Sequence, residues 1–231
     1  MVFLLTDFSH YIALYILGYN TKVKEKTMPK SHKLVYSIYV VIWIIMAINP
    51  KYPQDWLLEN VLVFLVFPFI VWMDKRHNYS LLSIILLLIF ASLHSLGSHY
   101  TYAEMEHFNG ITQFFGFERN HFDRLVHFLF GLLLFRILFE MITPGIATIK
   151  TALLFTFTMI VTISALYEIL EWFAVLLFHP GLGTAFLGTQ GDMWDAQQDT
   201  LVATIGALIN IIFYQSYEKL LLEKRLSKPL D

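Results

Sequence analysis

Residues 120–140 read NHFDRLVHFLFGLLLFRILFE, an apolar run that carries ionisable side chains at its start. About 20 mostly apolar residues in a helix are enough to cross the hydrocarbon core of a bilayer. On such a helix Asn120, Asp123 and His127 lie on one face, because they are three and four residues apart. A charge at the centre of a membrane costs roughly 2.5–3.5 kcal/mol or more, so function is the default explanation for keeping one there.

The composition of the whole chain indicates a membrane protein with several helices. Its 231 residues are 57% hydrophobic and 15% charged, whereas soluble domains have about 45–50% apolar and about 25% charged residues. The formal net charge of -2 makes nucleic acid an unexpected partner. The absence of cysteine excludes disulfides and thiolate metal ligands.

The hydropathy pattern predicts an all-α, polytopic membrane helix bundle with about six transmembrane helices. The six apolar runs are residues 33–48, 56–73, 80–98, 121–140, 150–178 and 198–217. Residues 33–217 therefore form the six-span bundle, residues 1–32 an N-terminal segment, and residues 218–231 a basic cytoplasmic tail. Within the N-terminal segment, residues 1–18 are apolar but interrupted by Asp7 and His10. This pattern leaves open an interfacial helix, a re-entrant helix and a marginal first span.

Lysine and arginine predict the orientation of the bundle, because they favour the cytoplasmic side of a membrane. With six spans, four basic regions fall on one side. They are Lys22 to Lys33, Lys75 with Arg76, Arg136 with Lys150, and Lys219 to Lys228. We expect both termini in the cytoplasm of a bacterial inner membrane, and the clusters of histidine and carboxylate residues on the outer side. The opposite side offers only isolated ionisable groups, such as Arg136 and Glu140, and His32 is read as an ordinary interfacial histidine.

Imidazole and carboxylate groups near the outer side predict a divalent metal site. The candidate ligands are His94, His99, His121, Asp123, His127, Asp192, Asp195 and Asp199. Without sulfur, this donor set suits zinc, manganese or iron, and also magnesium or calcium. Glu168 and Glu171, three residues apart in the fifth run, are the candidate general bases. Arg119, Arg124 and Tyr102 are the candidate substrate-binding residues, the arginines for an anionic group.

Structural roles for the same residues stay open. Arg124 has Glu168 or Asp195 as an ion-pair partner that would explain a buried acid. Asp192, Asp195 and Asp199 share a helix face if the sixth helix begins before Asp192, although Asp192 has a plain capping role as well. Gly97 is a point at which the third helix would end or distort, turning both His94 and His99 inward.

Four strings together resemble a known family. They are HSLG at residues 94–97 with Tyr102, RNHFDRLVH at 119–127, YEILEW at 167–172, and QGDMWDAQQD at 190–199. These strings are similar to the YjdF-type family of uncharacterised bacterial inner-membrane proteins. The resemblance implies an integral protein of the cytoplasmic membrane. It implies no activity and no residue roles.

Three classes of function remain from the sequence. The first is a metal-dependent membrane hydrolase of a lipid-linked or phosphorylated substrate, in contact with membrane lipids. The second is an ion- or proton-coupled transporter, in which the buried carboxylates form a relay. The third is a non-catalytic protein with a structural polar core, in which each hydrogen bond contributes about 1 kcal/mol or less. The substrate and the oligomeric state are not predicted.

Overall fold

The computed structural model describes residues 27–146, 148–178 and 189–213, and within these ranges the protein is helical, with no strand. Seven α-helices occur there. They are α1 (Lys30–Met46), α2 (Pro53–His77), α3 (Leu81–Tyr100), α4 (Asn109–Phe114), α5 (Phe122–Ile142), α6 (Ile149–Phe178) and α7 (Asp195–Ile212). Short 3-10 turns at Tyr102–Glu104, Glu106–Phe108 and Thr143–Gly145 complete the described connections. The predicted fold class, an all-helical bundle, is confirmed.

Four of these helices are long and apolar enough to cross a membrane. They are α2, α3, α5 and α6. Helix α1 has 17 residues, which gives it a length of about 26 Å at 1.5 Å per residue, short of a hydrocarbon core of about 30 Å. Large apolar side chains are exposed along α2 and α6, including Leu65 at 65% and Leu177 at 71%. The protein is therefore an integral membrane protein whose outer faces are built for lipid.

Several sequence predictions fall outside the described residues. The interfacial or re-entrant helix predicted for residues 1–18 lies there, as does the basic tail at residues 218–231. Each of the six predicted apolar runs overlaps one of the long helices, and the sixth run continues from α7 beyond residue 213.

The contact between α5 and α7 is unusually close, because each helix has a glycine where it meets the other. A Cβ atom on Gly131 would clash with the backbone carbonyl of Ala203, and one on Gly206 would clash with the backbone of Phe128 and Leu132. Small residues allow helix backbones to approach in membranes. The two helices run parallel, because Asp123 and His127 near the start of α5 lie beside Asp199 near the start of α7, whereas Asn210 near the end of α7 donates a hydrogen bond to the Leu132 carbonyl in the middle of α5 (3.1 Å). We call the end of the bundle where both begin the site end, and the opposite end the far end.

The remaining long helices surround this pair. Helix α6 packs antiparallel on α5, because Glu168 toward its end lies beside His127 near the start of α5, whereas Leu153 near its start shares a buried cluster with Phe139 near the end of α5. Helix α3 also packs on α5, and α1 and α2 pack on α3. Because successive long helices alternate in direction, the loops after α1 and α3 and the described residues just before α7 all lie at the site end.

The far end contains two buried carboxylates that hold the turn between α2 and α3. The turn itself is set by Asn78, which adopts the left-handed conformation (φ 51) that ends α2. Asp74, 1% exposed, accepts hydrogen bonds from His32 Nδ1 (2.8 Å), from the Tyr36 hydroxyl (3.3 Å) and from the Tyr79 amide (2.9 Å). The expectation that His32 is an ordinary interfacial histidine is wrong, because His32 is 4% exposed and hydrogen-bonded to this acid.

The second far-end carboxylate, Glu140, is equally well satisfied. It is 1% exposed and accepts hydrogen bonds from the Ser80 amide (2.8 Å), the Ser80 hydroxyl (2.5 Å) and the Ser83 hydroxyl (2.7 Å). Arg136 Nε lies 3.7 Å from its Oε1 atom. The prediction that Arg136 and Glu140 are isolated ionisable groups is therefore wrong, because both belong to a packed polar cluster.

Exposed aromatic and apolar side chains flank the site end. Phe114 and Phe115 are 83% and 62% exposed in and just after α4, and Met193 and Trp194 are 81% and 60% exposed just before α7. Aromatic side chains of this kind concentrate at the interface between lipid and water. The exposed side chains of both segments are therefore of the kind that suits a boundary between lipid and water.

The α5–α7 contact generates a first prediction. Gly206→Ala places a methyl group against the α5 backbone, and overpacking of this kind typically costs about 1–3 kcal/mol. We expect a lower thermal unfolding temperature in detergent. Gly110→Ala is the matched control, because a Cβ atom there meets nothing within 4 Å. Equal unfolding temperatures for the two variants would contradict the close contact.

The far-end cluster generates a second prediction. Glu140→Ala leaves the Ser80 amide and the Ser83 hydroxyl buried without their acceptor, and each such loss costs about 1–3 kcal/mol. We expect a clear drop in unfolding temperature. Glu104→Ala, which removes a half-exposed carboxylate from a loop, should change it little. A neutral effect of Glu140→Ala would show that this cluster does not stabilise the fold.

Candidate functional site

Three predicted ligands converge where α5 and α7 begin. Asp123 and His127 lie one turn apart on α5, and Asp199 lies on the facing side of α7. Each offers a ligand atom, and these three atoms lie within 4.8 Å of one another. The His127 Nε2 atom is 3.6 Å from Asp123 Oδ1. The parallel packing of α5 and α7 is what brings the two aspartates to the same histidine.

Helix α6 adds a further carboxylate to this group. Glu168 Oε1 lies 3.3 Å from His127 Nε2. Among the described residues, Glu168 Oε1 and Asp199 Oδ1 are buried and accept no hydrogen bond, and the same holds for Asp195 Oδ2. Buried polar atoms without a partner are rare and call for an explanation such as an ion or water molecule. Glu171 lies one turn further along α6 and is partly buried.

The predicted anion-binding arginines form ion pairs with the aspartates before and at the start of α7. Arg119 Nη1 lies 2.7 Å from Asp195 Oδ1, and Arg124 Nη2 lies 2.6 Å from Asp192 Oδ2 and 3.3 Å from Asp195 Oδ1. The Arg124–Asp195 pair that the sequence left open is thus present. These contacts neutralise part of the acidic cluster and place Arg124 Nε 4.0 Å from Asp199.

Helix α7 begins at Asp195, not before Asp192. The prediction that Asp192, Asp195 and Asp199 share one helix face is therefore wrong for Asp192. Its Oδ1 atom accepts a hydrogen bond from the Trp194 amide (2.9 Å), which closes the turn ahead of the helix. Asp192 consequently belongs to the arginine network and lies outside the Asp123–His127–Asp199 group.

His94 is held by Tyr102 at the edge of the site. The Tyr102 hydroxyl lies 2.6 Å from His94 Nδ1. Burial, and next the charges of Glu59 and Asp123, raise the pKa of Tyr102 well above its usual range, so the hydroxyl stays protonated and donates to His94. Gly97 does not break α3, which continues to Tyr100. It makes room for the Tyr102 ring, which a Cβ atom at residue 97 would strike.

Two other predicted ligands point elsewhere. His99 Nδ1 lies 2.8 Å from the Met46 carbonyl, so His99 ties α3 to the end of α1. His121 packs its ring against Phe117 just before α5. Burial, and next the positive charges of Arg124 and Arg119, lower the pKa of His121. The structure brings neither ring into the group formed by Asp123, His127 and Asp199.

The sequence reasoning missed the contribution of α2. Glu59, 7% exposed, accepts a 2.6 Å hydrogen bond from the Tyr167 hydroxyl of α6. Asn60, fully buried, accepts a 2.6 Å hydrogen bond from Trp43 Nε1 and donates to Ser98. The signal was present: Asp55 and Glu59 are four residues apart at the start of an apolar run, the same pattern that singled out Asp123 and His127.

A family model described as "Predicted membrane protein (DUF2238)" matches residues 31–219. The chain belongs to this family. It is also 32% identical over 175 residues to "Inner membrane protein YjdF" of Escherichia coli (strain K12), an alignment that covers 75% of this chain and 83% of that protein. No solved structure matches the chain significantly.

Membership of the DUF2238 family confirms the resemblance that the four sequence strings indicated. The matched range includes every helix from α2 to α7 and every candidate site residue from Glu59 to Asp199. The buried group at the site end is therefore part of the family's membrane domain.

The arginine network generates a third prediction. The Trp194 amide, and then Arg124, lower the pKa of Asp192 below its usual range. A carboxylate of this kind stabilises the fold above its unfolded pKa of about 3.9, and the contribution is lost as the pH falls through the lower folded pKa. Asp192→Asn should thus lower the unfolding temperature at pH 7 and have progressively less effect below about pH 4.

Glu118→Gln is the control for this pH series, because Glu118 is an exposed acid in the loop before α5. Unfolding temperatures of both variants and the original protein are measured between about pH 2.5 and pH 7, a window chosen around the pKa of a free aspartate. A constant difference between the original protein and Asp192→Asn over this window would contradict the assignment.

Proposed function

We propose that the protein binds a divalent cation through Asp123, His127 and Asp199 and acts as a metal-dependent hydrolase on a lipid-linked or phosphorylated substrate. The observation that carries the proposal is the convergence of these three ligand atoms within 4.8 Å. It is supported by the neighbouring carboxylate oxygens of Glu168 and Asp199, which are buried and accept no hydrogen bond from the described residues. A cation would offset the repulsion between these carboxylates.

The donor set suits a catalytic site better than a closed structural one. Three protein ligands leave an open position for water or substrate. One imidazole nitrogen together with carboxylate oxygens suits zinc, manganese or iron, with magnesium or calcium as alternatives. A bound cation would lower the pKa of a water molecule toward neutrality. Glu168, whose Oε1 atom lies 3.3 Å from His127 Nε2, would accept a proton from that water, and Glu171, three residues further along α6, would exchange the proton with Glu168.

An anionic substrate group would bind at the arginine network. Arg119 and Arg124 already pair with Asp192 and Asp195, so a substrate anion must replace one of these carboxylates. Asp192 is the replaceable one, because its side chain is 24% exposed, whereas that of Asp195 is 3% exposed. At the same end, Tyr102 binds His94 through its hydroxyl group, and both side chains line the cavity next to the site.

The proposal includes a topology. We infer six spans, with α1 and α7 joining the four helices that are long and apolar enough to span by themselves, because the six long helices alternate in direction. Lys30, Lys75, Arg76 and Lys150 all lie at the far end, which favours a cytoplasmic far end and cytoplasmic termini. The site then faces outward. The similarity to an E. coli protein named as an inner membrane protein supports the bacterial inner membrane as its location.

An ion- or proton-coupled transporter is the second candidate. It is favoured by the buried carboxylates at both ends of the bundle, Asp74 and Glu140 at one and the proposed metal ligands at the other. The far-end pair is fully hydrogen-bonded, however, and the cavity between the two ends is lined mainly by apolar side chains. An ion crossing this region would lose its ligands, so the hydrolase is the better supported function. Proton flux in proteoliposomes that Glu168→Gln abolishes would reverse this order.

Metal content provides the fourth prediction. Purified protein should hold about one equivalent of a divalent metal, by analogy with sites of three protein ligands, when measured by elemental analysis. Asp199→Asn should remove most of it, because one of the three ligands loses its charge. Asp192→Asn is the matched control and should retain the metal, since Asp192 lies in the arginine network.

An assay of hydrolysis distinguishes a role in catalysis from a role in metal binding. With metal-loaded protein and dodecyl phosphate as the probe, phosphate release should fall about 10²–10⁴-fold in Glu168→Gln, the usual contribution of a general base, while the metal content stays constant. Folded, metal-free protein after purification in metal-containing buffer would contradict the metal site. Metal retention without phosphate release from this probe would contradict only the phosphatase form of the reaction.

A further inference from the structure

A cavity of about 300 Å³ runs inside the bundle, next to the candidate site. Its wall follows α5 from Asp123 to Met141, a distance of about 27 Å at 1.5 Å per residue. This is close to the thickness of the hydrocarbon core, about 30 Å. The cavity volume lies at the lower limit of ligand pockets, which are about 300–1,000 Å³, so the cavity is long and narrow.

The two ends of this cavity differ in chemistry. At the site end the wall includes His94, Asp123 and His127. Toward the far end it consists of apolar side chains such as Leu87, Leu134 and Ile137, with Tyr36 turning its hydroxyl away to Asp74. A ligand that satisfies both parts must itself be polar at one end and apolar along its length. A free inorganic ion or a small polar metabolite would leave the apolar part unused.

The cavity also reaches the lipid-facing surface of the bundle. Val66 of α2 and Ile163 of α6 line it, and they are 46% and 38% exposed. Toward the site end, Tyr167 and Glu59 join the same two helices by a hydrogen bond. An apolar chain could therefore enter sideways from the bilayer between α2 and α6, below this hydrogen bond, without passing through water.

We infer that this cavity binds the single hydrocarbon chain of a membrane amphiphile, with an anionic head group at the Asp123–His127 end. The negative charge assigned to the head group rests on the proposed function, because without the bound cation the carboxylates at the Asp123–His127 end would repel an anion. Of the two substrate classes in the proposed function, lipid-linked and simply phosphorylated, the inference favours the lipid-linked class, which has a hydrocarbon chain. The chain is what holds the head group beside Glu168.

The test uses the full-length protein in phosphatidylcholine nanodiscs, loaded with Mn²⁺ and carrying Glu168→Gln throughout, so that an alkyl phosphate binds without being hydrolysed. The probe is an alkyl phosphate with a photoactivatable diazirine near the end of a twelve-carbon chain (about 12, chosen to suit a cavity at the lower limit of ligand pockets). Peptide mapping should find the label on cavity-lining residues of α3 and α5, such as Leu87 and Leu134. Unlabelled dodecyl phosphate should compete at a concentration at least about tenfold lower than dodecylamine, a difference of about 1.4 kcal/mol.

Two substitutions on α2 form a matched pair. Val63→Trp fills the cavity, which Val63 lines, and should reduce labelling at least about tenfold, equivalent to about 1.4 kcal/mol. Val61→Trp introduces the same side chain at a position that is 45% exposed and outside the cavity wall, and should leave labelling unchanged. If Val63→Trp fails to fold, Ala91→Phe of α3 fills the same cavity from another helix.

The outcomes separate this inference from the metal site. Reduced labelling in the cavity-filled variant, together with unchanged metal content, supports the inference. Equal labelling in folded Val63→Trp and Val61→Trp, or label spread over lipid-facing residues alone, overturns it. Competition in favour of the amine overturns the anionic head group. An Asp199→Asn protein that loses the metal but still takes up the chain of a dodecanol-based probe shows that the cavity binds chains whether or not the proposed function holds.

Discussion

The close parallel contact of α5 and α7 is the interaction on which the candidate site depends. Because Gly131 and Gly206 have no side chain, the two backbones come near enough for Asp199 to reach His127. The same geometry places Asp195 between Arg119 and Arg124. The two glycines, which let the backbones of α5 and α7 approach, thus determine where the five ionisable groups meet. The ionisable groups themselves do not bring the two helices together.

The two polar ends of the bundle show how burial and hydrogen bonding separate structural roles from functional ones. At the far end, the buried carboxylates of Asp74 and Glu140 each accept several hydrogen bonds, so their desolvation is offset within the fold. At the site end, oxygens of Glu168, Asp195 and Asp199 are buried without such donors among the described residues. Both ends contain carboxylates in apolar helices, and only the distribution of donors distinguishes them.

Features that depend on a single helix could be predicted from the sequence, whereas contacts between several helices could not. Apolar runs gave the helices, and the spacing of Asp123 and His127 gave their shared face. The start of α7 was misplaced, because the turn that Asp192 closes resembles a helix start in sequence. His99 and Glu59 were misassigned or missed, since helix rotation decides which neighbour each one faces: the Met46 carbonyl for one and Tyr167 for the other. Periodicity within a single run does not specify that rotation.

The exposed aromatic rings beside the candidate site are suited to fix its depth in the membrane. Phe114 and Phe115 lie in the segment before Arg119, and Trp194 lies directly before Asp195. Side chains of this kind anchor a protein to the boundary between head groups and hydrocarbon. The arginines lie in or next to the same segments, while His127 and Asp199 lie about one helical turn further along α5 and α7. Membrane thickness thus becomes a control variable: a thinner bilayer would lower the head groups toward the buried carboxylates, and a thicker one would raise them out of reach.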